Sequence, residues 1–224
     1  MKLHSQQIER LWLWFFPRRC VWCMGVAEPT HMLCADCEPE AQPLLLAPDL
    51  VRDTQLPLIS AFGYHSHAKR ILLNVKYHGG RKNAHSIGYA MADALSSAGV
   101  MDKQWLLCSV PMTAAQVKTR GFNQSEVLAK SAARWLGLEY APLLRKTRET
   151  QVQHDLPAAQ REKNVDGAYC AAMPEQITGR KIVLVDDICT TGATMRACAK
   201  VLQTAGAEEI ICLSFLRTDL EESP

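Results

Sequence analysis

The chain has 224 residues, 48 % of them apolar and 21 % charged, with a formal net charge of +2. That length holds one main domain with a smaller appendage. The apolar fraction is that of a folded globular chain, the near-neutral charge requires any basic patch to be local, and no apolar run reaches the roughly 18 residues of a membrane span.

The N-terminal stretch "LWLWFF" (11–16) is short and follows Glu9 and Arg10. No small-residue cleavage site follows it, so a signal peptide is not expected. Ile8, Leu11, Trp12 and Phe15 share one helix face that Pro17 closes. Such a helix docks on its own protein; the alternative is a helix lying on a membrane surface. Nine cysteines without a signal peptide point to a reducing compartment, and to free thiols and metal rather than disulfides.

Cys20, Cys23, Cys34 and Cys37 form two C-x2-C pairs separated by ten residues. Each pair offers two thiolates from a tight turn, and together they suit a closed tetrahedral zinc site. A redox pair, an iron–sulfur site and plain buried thiols are the alternatives. His31 is a fifth candidate ligand that a four-cysteine site does not need. A closed zinc site leaves no open position for chemistry, so its work is to fold a small module. Residues 1–45 are expected to form the N-terminal helix and zinc module. Prolines at 39, 43, 48 and 57 then mark a linker to about residue 56, with the main domain over 57–224.

In the main domain, "LPLISAFGY" (56–64) reads as a strand. Ala68, Ile71, Leu72 and Val75 form a helical stripe that Gly79 and Gly80 stop. "WLLCSVPM" (105–112) reads as a second buried strand. A helix follows from Asn123 to Trp135, with Asn123 and Glu126 spaced as a capping box and Gly137 past its end. Residues 167–171 suggest a short strand, 182–187 a buried one, 192–205 a helix and 210–216 a last strand. Alternating strands and helices predict an α/β domain with a mostly parallel sheet flanked by helices. Ligands in such sheets bind beyond the carboxyl ends of the strands.

The segment "KIVLVDDICTTGATM" (181–195) has the most chemistry. An apolar strand ends on Asp186 and Asp187, a loop of Thr190, Thr191 and Gly192 follows, and Met195, Cys198, Ala199 and Leu202 begin a helix stripe. Amides at a helix N-terminus favour an anion, and threonine hydroxyls add donors to phosphate oxygens. Carboxylates repel phosphate, so they must address another part of the ligand. A sugar diol fits, with a divalent metal nearby to offset charge. No G-x-x-x-x-G-K-[ST] and no G-x-G-x-x-G after a strand occur, which disfavours an ATP P-loop and a dinucleotide site. A solvated turn with ordinary caps is the bland alternative.

"VLVDDICTTGAT" closely resembles the phosphoribosyl pyrophosphate (PRPP) signature of type I phosphoribosyltransferases. The resemblance implies that Asp186 and Asp187 hold the ribose hydroxyls. It also implies that Thr190, Thr191, Gly192, Ala193 and Thr194 cradle the 5′-phosphate, with Mg²⁺ accompanying the ligand. "VPMTAAQVKTRGFNQSEVLA" (110–129), "TRETQVQHDLPAAQREKNVDGAY" (147–169) and the paired C-x2-C motifs extend the resemblance to the ComF/GntX family over nearly the whole chain. That family implies cytoplasmic proteins of natural competence or DNA utilisation, acting with DNA-uptake machinery. Cys189 stands where many such sequences have valine, a small apolar change.

Lys118, Arg120 and Gly121 are expected in a turn between the strand ending near Pro111 and the helix at Asn123, the place for a pyrophosphate loop; a solvated turn is the alternative. Arg145, Lys146, Arg148, Arg161 and Lys163 lie in a polar stretch expected to be mobile and to close over ligand, or to be a solvated linker. The basic segment 67–85 is a nucleic-acid or phosphate-facing patch or the solvated face of a helix, and its histidines lack metal spacing. Three functions follow: a DNA-utilisation protein that binds PRPP or a related phosphorylated ribose as a sensor; a Mg²⁺-dependent phosphoribosyltransferase, with Asp186, Asp187, Lys118 and Arg120 as its catalytic residues and an acceptor the sequence does not name; and an accessory protein that binds single-stranded DNA.

Overall fold

The computed structural model describes residues 20, 22–23, 25–27, 33–38, 49–51, 54–63, 81–100, 102–150 and 164–218. The expected helices at 8–15 and 68–75, and His31, lie outside them.

Short runs rich in Ile, Leu and Val make the central strands. These are β2 (Pro57–Gly63), β3 (Trp105–Ser109), β7 (Lys181–Cys189) and β8 (Glu209–Arg217), with the two-residue edge strands β1 (Asp49–Leu50) and β4 (Glu139–Tyr140) beside them and β5 (Leu144–Lys146) and β6 (Tyr169–Ala171) apart. Six strands form one sheet in the order β1-β2-β8-β7-β3-β4. Its pairings are parallel except β1 with β2. Every residue of β3 is buried, as are Ile182 to Val185 of β7, the signature of a parallel sheet covered on both faces. β5 and β6 pair antiparallel in a separate ribbon. The expected α/β architecture is therefore present.

Helices α1 (Arg81–Ser97), α2 (Ala114–Arg120), α3 (Gln124–Leu136) and α4 (Ala193–Thr204) complete the described fold. On one face, Ile87, Met91 and Leu95 of α1 and Leu128 and Ala132 of α3 pack with Phe62, Val183 and Phe215. At Gly88 the two helices come so close that a Cβ would stand 2.3 Å from Ser131 Oγ. On the other face, Met195, Cys198 and Leu202 of α4 pack with Leu184, Ile182 and Tyr169. Cys20, Trp22, Leu33 and Cys37 belong to the first of these cores, where Trp22 meets Phe62 edge to face at 5.6 Å between ring centres. Among the described residues no helix is long and apolar enough to cross a membrane.

Several local expectations change. Lys118 and Arg120 lie not in a turn but in α2, which starts on a capping box of Thr113 and Gln116 and ends on Gly121 at φ 84°. Asn123 is the N-cap of α3 without a side-chain cap; its Nδ2 donates to the Val110 carbonyl at 2.9 Å and its Oδ1 meets no amide of the helix. Helix α1, with Ala84, Ile87, Met91 and Leu95 buried at helical spacing, was not among the expected elements. Arg145 and Lys146 belong to β5, held by pairing with β6.

Candidate functional site

Strand β7 runs past its neighbour. β3 pairs with it up to Val185, and the Val110 amide makes one more bond to the Val185 carbonyl. Beyond that point β7 keeps only β8, through Cys189. Asp186 and Asp187 therefore stand within the strand but at the end of β3, where the sheet opens on one side. This is the carboxyl end that the topology reserves for ligands.

Asp186 Oδ1 accepts two hydrogen bonds, from Ser125 Oγ at 2.7 Å and from the Asp187 amide at 2.9 Å. Asp187 Oδ1 accepts from the Ile188 amide at 2.8 Å. Burial pushes the Asp186 carboxyl up to about 7, and the Asp187 charge pushes the same way, while the Ser125 bond and the Asp187 amide bond oppose them. Two carboxylates at one corner call for hydroxyl donors or a cation, and a ribose diol supplies donors.

The loop after β7 turns into α4 through Gly192, its N-cap at φ 74° with no side-chain cap. The N-terminal amides of α4 thus lack a side-chain acceptor at the cap. Thr191 is 8 % exposed, and its Oγ1 is buried without a hydrogen-bond partner. An orphaned donor beside a helix N-terminus suits a phosphate oxygen. Ala193 is buried in the same turn, Arg196 Nη1 donates to the Thr191 carbonyl at 2.7 Å, and Thr194 bonds the Tyr169 side chain. Thr190 follows Cys189 directly, at the start of the loop. Gly192 has a structural task as well, since a Cβ there would lie 2.5 Å from Val51 Cγ1.

The start of α3 reaches the acidic corner through Ser125, and α2 precedes it in the chain. Lys118 and Arg120 are exposed in the last turn of α2. Asn123 Oδ1 and Gln124 Nε2 are buried without partners, next to the Ser125 that reaches Asp186. Sequence reasoning gave no role to Ser125, Gln124 or Tyr169, and placed Lys146 in a polar stretch expected to be mobile and to close over ligand, whereas it ends β5. The one signal was the R-G-F-N-Q segment, which ends on Gln124 and which Ser125 follows directly. A separate cleft of about 510 Å³ is lined by Lys103, Gly137, Arg180 and Lys181, away from the carboxyl ends of the strands, and holds none of the expected residues.

The four cysteines come together as their spacing requires. Their sulfur atoms lie within 4.8 Å of one another, and those of Cys23 and Cys34 are 3.7 Å apart. Zn–S bonds of about 2.3 Å in a tetrahedron would set sulfurs about 3.8 Å apart. Amides of Trp22 and Cys23 point at Cys20 Sγ, and that of Gly25 at Cys23 Sγ, which favours thiolates. This cluster could hold a metal ion such as zinc.

Residues 123–222 match the family model described as "Phosphoribosyl transferase domain". The chain is 36 % identical over 113 residues to "DNA utilization protein YhgH" of Escherichia coli K12, covering 50 % of this chain and 49 % of that one. It is 32 % identical over 103 residues to "Competence protein F" of Haemophilus influenzae, covering 45 % of each. To "Competence protein ComFC" of Streptococcus pneumoniae it is 33 % identical over 120 residues, covering 51 % and 49 %. The chain thus spans about half the length of the curated relatives it matches. A solved structure titled as the allosteric regulatory enzyme of purine biosynthesis is similar at a TM-score of 0.40 and 24 % identity, covering 58 % of this chain and 25 % of that one, too distant a likeness to carry an argument. The chain is thus similar over its C-terminal part to a phosphoribosyl transferase domain, and over about half its length to DNA-utilisation and competence proteins, with a four-cysteine cluster ahead of that part.

Proposed function

We propose that this chain binds PRPP or a closely related phosphorylated ribose, with Mg²⁺ carried on the ligand's pyrophosphate, and serves the uptake or use of external DNA. The observation that carries the reading is the pairing of two chemistries at the end of β7. Asp186 and Asp187 form a diol-accepting corner, and the buried, unpartnered Thr191 hydroxyl lies beside the α4 N-terminus. Lys118 and Arg120 supply positive charge to the pyrophosphate from α2. The DNA role rests on the names of the relatives, and its partners would be proteins of DNA uptake in the cytoplasm. Zinc at Cys20, Cys23, Cys34 and Cys37 acts structurally.

The same corner suits phosphoribosyl transfer to an acceptor. Displacing pyrophosphate at the ribose C1 builds positive charge on the sugar, which the carboxylates stabilise, and negative charge on the leaving group, which α2 and Mg²⁺ stabilise. Titration calorimetry with PRPP, with and without Mg²⁺, tests the binding reading. Asp186→Asn together with Asp187→Asn should weaken PRPP at least about a hundredfold, roughly 3 kcal/mol. A wild-type protein that binds neither PRPP nor ribose 5-phosphate at millimolar concentration overturns the reading. A transferase adds pyrophosphate release with some acceptor, which Arg120→Ala lowers more than it lowers PRPP affinity.

A further inference from the structure

The glycine that turns β7 into α4 rests on a residue from the edge of the sheet. Val51 follows β1 directly and is fully buried. A Cβ on Gly192 would lie 2.5 Å from Val51 Cγ1 and 3.8 Å from its Cβ, so the glycine backbone itself sits against the valine side chain. In the sheet, β2 and β8 stand between β1 and β7. The contact is made on the α4 face, where Val51 shares a core with Ala193 and Met195.

Val51 is held by its own backbone. Its amide donates to the Leu56 carbonyl at 2.8 Å. Its carbonyl accepts from the Thr54 amide at 3.1 Å and from Thr54 Oγ1 at 2.6 Å. The same segment also reaches the start of the loop. Arg217 Nη1 donates to Asp49 Oδ2 at 2.8 Å, and Arg217 pairs with Cys189, the last residue of β7. The loop is thus fixed at its entry through Cys189 and Arg217, and at its exit through Gly192 and Val51. Between these points lie Thr190 and Thr191, with the unpartnered Thr191 hydroxyl.

We propose that Val51 is a positioning residue for the phosphate end of the site. It acts through the glycine, not on the ligand: by seating Gly192 it sets the direction of the Thr191 hydroxyl and of the first amides of α4. This rests on the ribose-phosphate reading of the β7 loop. A β-branched side chain suits the task, because its χ1 is stiff and its two methyls present one fixed surface. Alanine at this position leaves a gap that the loop can enter. Threonine keeps the shape of valine and buries a hydroxyl instead, so it costs stability but keeps the seat.

Two measurements on the full chain test this: hydrogen exchange of the amides of residues 191–196 in the free protein, and calorimetric titration with ribose 5-phosphate. Val51→Ala should speed exchange there about tenfold beyond any change at residues 128–133 of α3, and should weaken ribose 5-phosphate about fivefold to tenfold. Val51→Thr should melt below wild type, as Val51→Ala does, yet keep local exchange and affinity within about twofold. A valine that only adds stability gives losses that follow the melting temperature and are alike in both variants. Should Val51→Ala not fold, Thr54→Val, which removes the hydroxyl bond to the Val51 carbonyl and keeps the side chain's shape, must show the same local gain in exchange. Unchanged exchange at residues 191–196 overturns the proposal, as do equal losses in the alanine and threonine variants, or an undiminished ribose 5-phosphate affinity in Val51→Ala. If ribose 5-phosphate fails to bind wild type while exchange responds as described, the ribose reading fails and the seat under Gly192 stands.

Discussion

Ser125 donates a 2.7 Å hydrogen bond to Oδ1 of Asp186, tying the first turn of α3 to the acidic corner of β7. The start of α3, which follows the helix of Lys118 and Arg120 in the chain, is thereby joined to the strand end that would hold the ribose. The bond also opposes what sets the protonation of the corner. Asp186 lies in a site where burial and Asp187 favour the neutral acid, and Ser125 and the Asp187 amide oppose them.

A pH dependence of stability follows. The Asp186 carboxyl is raised from its ordinary 3.8 to about 7 in the folded chain. A raised acid favours the folded state while protonated. Its contribution is complete below the unfolded value and is lost as pH climbs through about 7. The unliganded chain should lose on the order of 1 to 2 kcal/mol from this group between about pH 5 and 8, after allowing for screening. Asp186→Asn should flatten that slope, and Ser125→Ala should move it to higher pH. Thermal melts across this range measure it; parallel curves for wild type and Asp186→Asn would show that the corner does not titrate there.

The loop glycine makes a second prediction, about packing rather than ligand. Gly192 has φ 74°, and a Cβ would press on Val51 Cγ1 at 2.5 Å. Gly192→Ala should destabilise the fold by roughly 2 to 3 kcal/mol, combining left-handed strain with overpacking. Adding Val51→Ala removes the clash, so the double variant should lose less than the two single losses summed. Strict additivity in denaturant melts would mean that the loop moves away from Val51. Gly192 is therefore a poor probe of ligand binding by itself, and the Thr191 hydroxyl is the cleaner one.

Much of this was legible in the sequence because it is local. The Ile-Val-Leu-Val run, the paired acids, the stripe at Met195, Cys198 and Leu202, and the cysteine spacing each carry their meaning within a few residues. What was missed depends on distant partners. Both Thr113–Gln116 and Asn123–Glu126 have capping-box spacing, but only the first forms one, while the Asn123 side chain is drawn to the distant Val110 carbonyl. Lys146 reads as part of a polar linker until β6 supplies its strand partner. β4 exists only because β3 offers an edge. The stripe of α1 was readable, but the preceding Gly79-Gly80 pair marked a stop and drew attention from it.

The last prediction concerns the cysteines and how far their loss reaches. Cys20 is fully buried, Trp22 is 4 % exposed and Phe62 of β2 is fully buried, all in one core. A metal that fixes the two cysteine pairs therefore also fixes the cover over one face of the sheet. Metal analysis of protein purified under reducing conditions should find one zinc per chain. Stripping it, or making Cys20→Ser or Cys37→Ser, should lower stability by roughly 2 kcal/mol or more, about 5 °C in melting temperature for a chain of this size. Because α4 and the β7 loop pack on the opposite face, PRPP affinity measured well below that temperature should stay within about twofold. Absence of zinc would remove the metal from the account. Zinc loss with an unchanged melting temperature would instead show that the cysteine module folds on its own, and that the Trp22–Phe62 contact contributes little to the sheet.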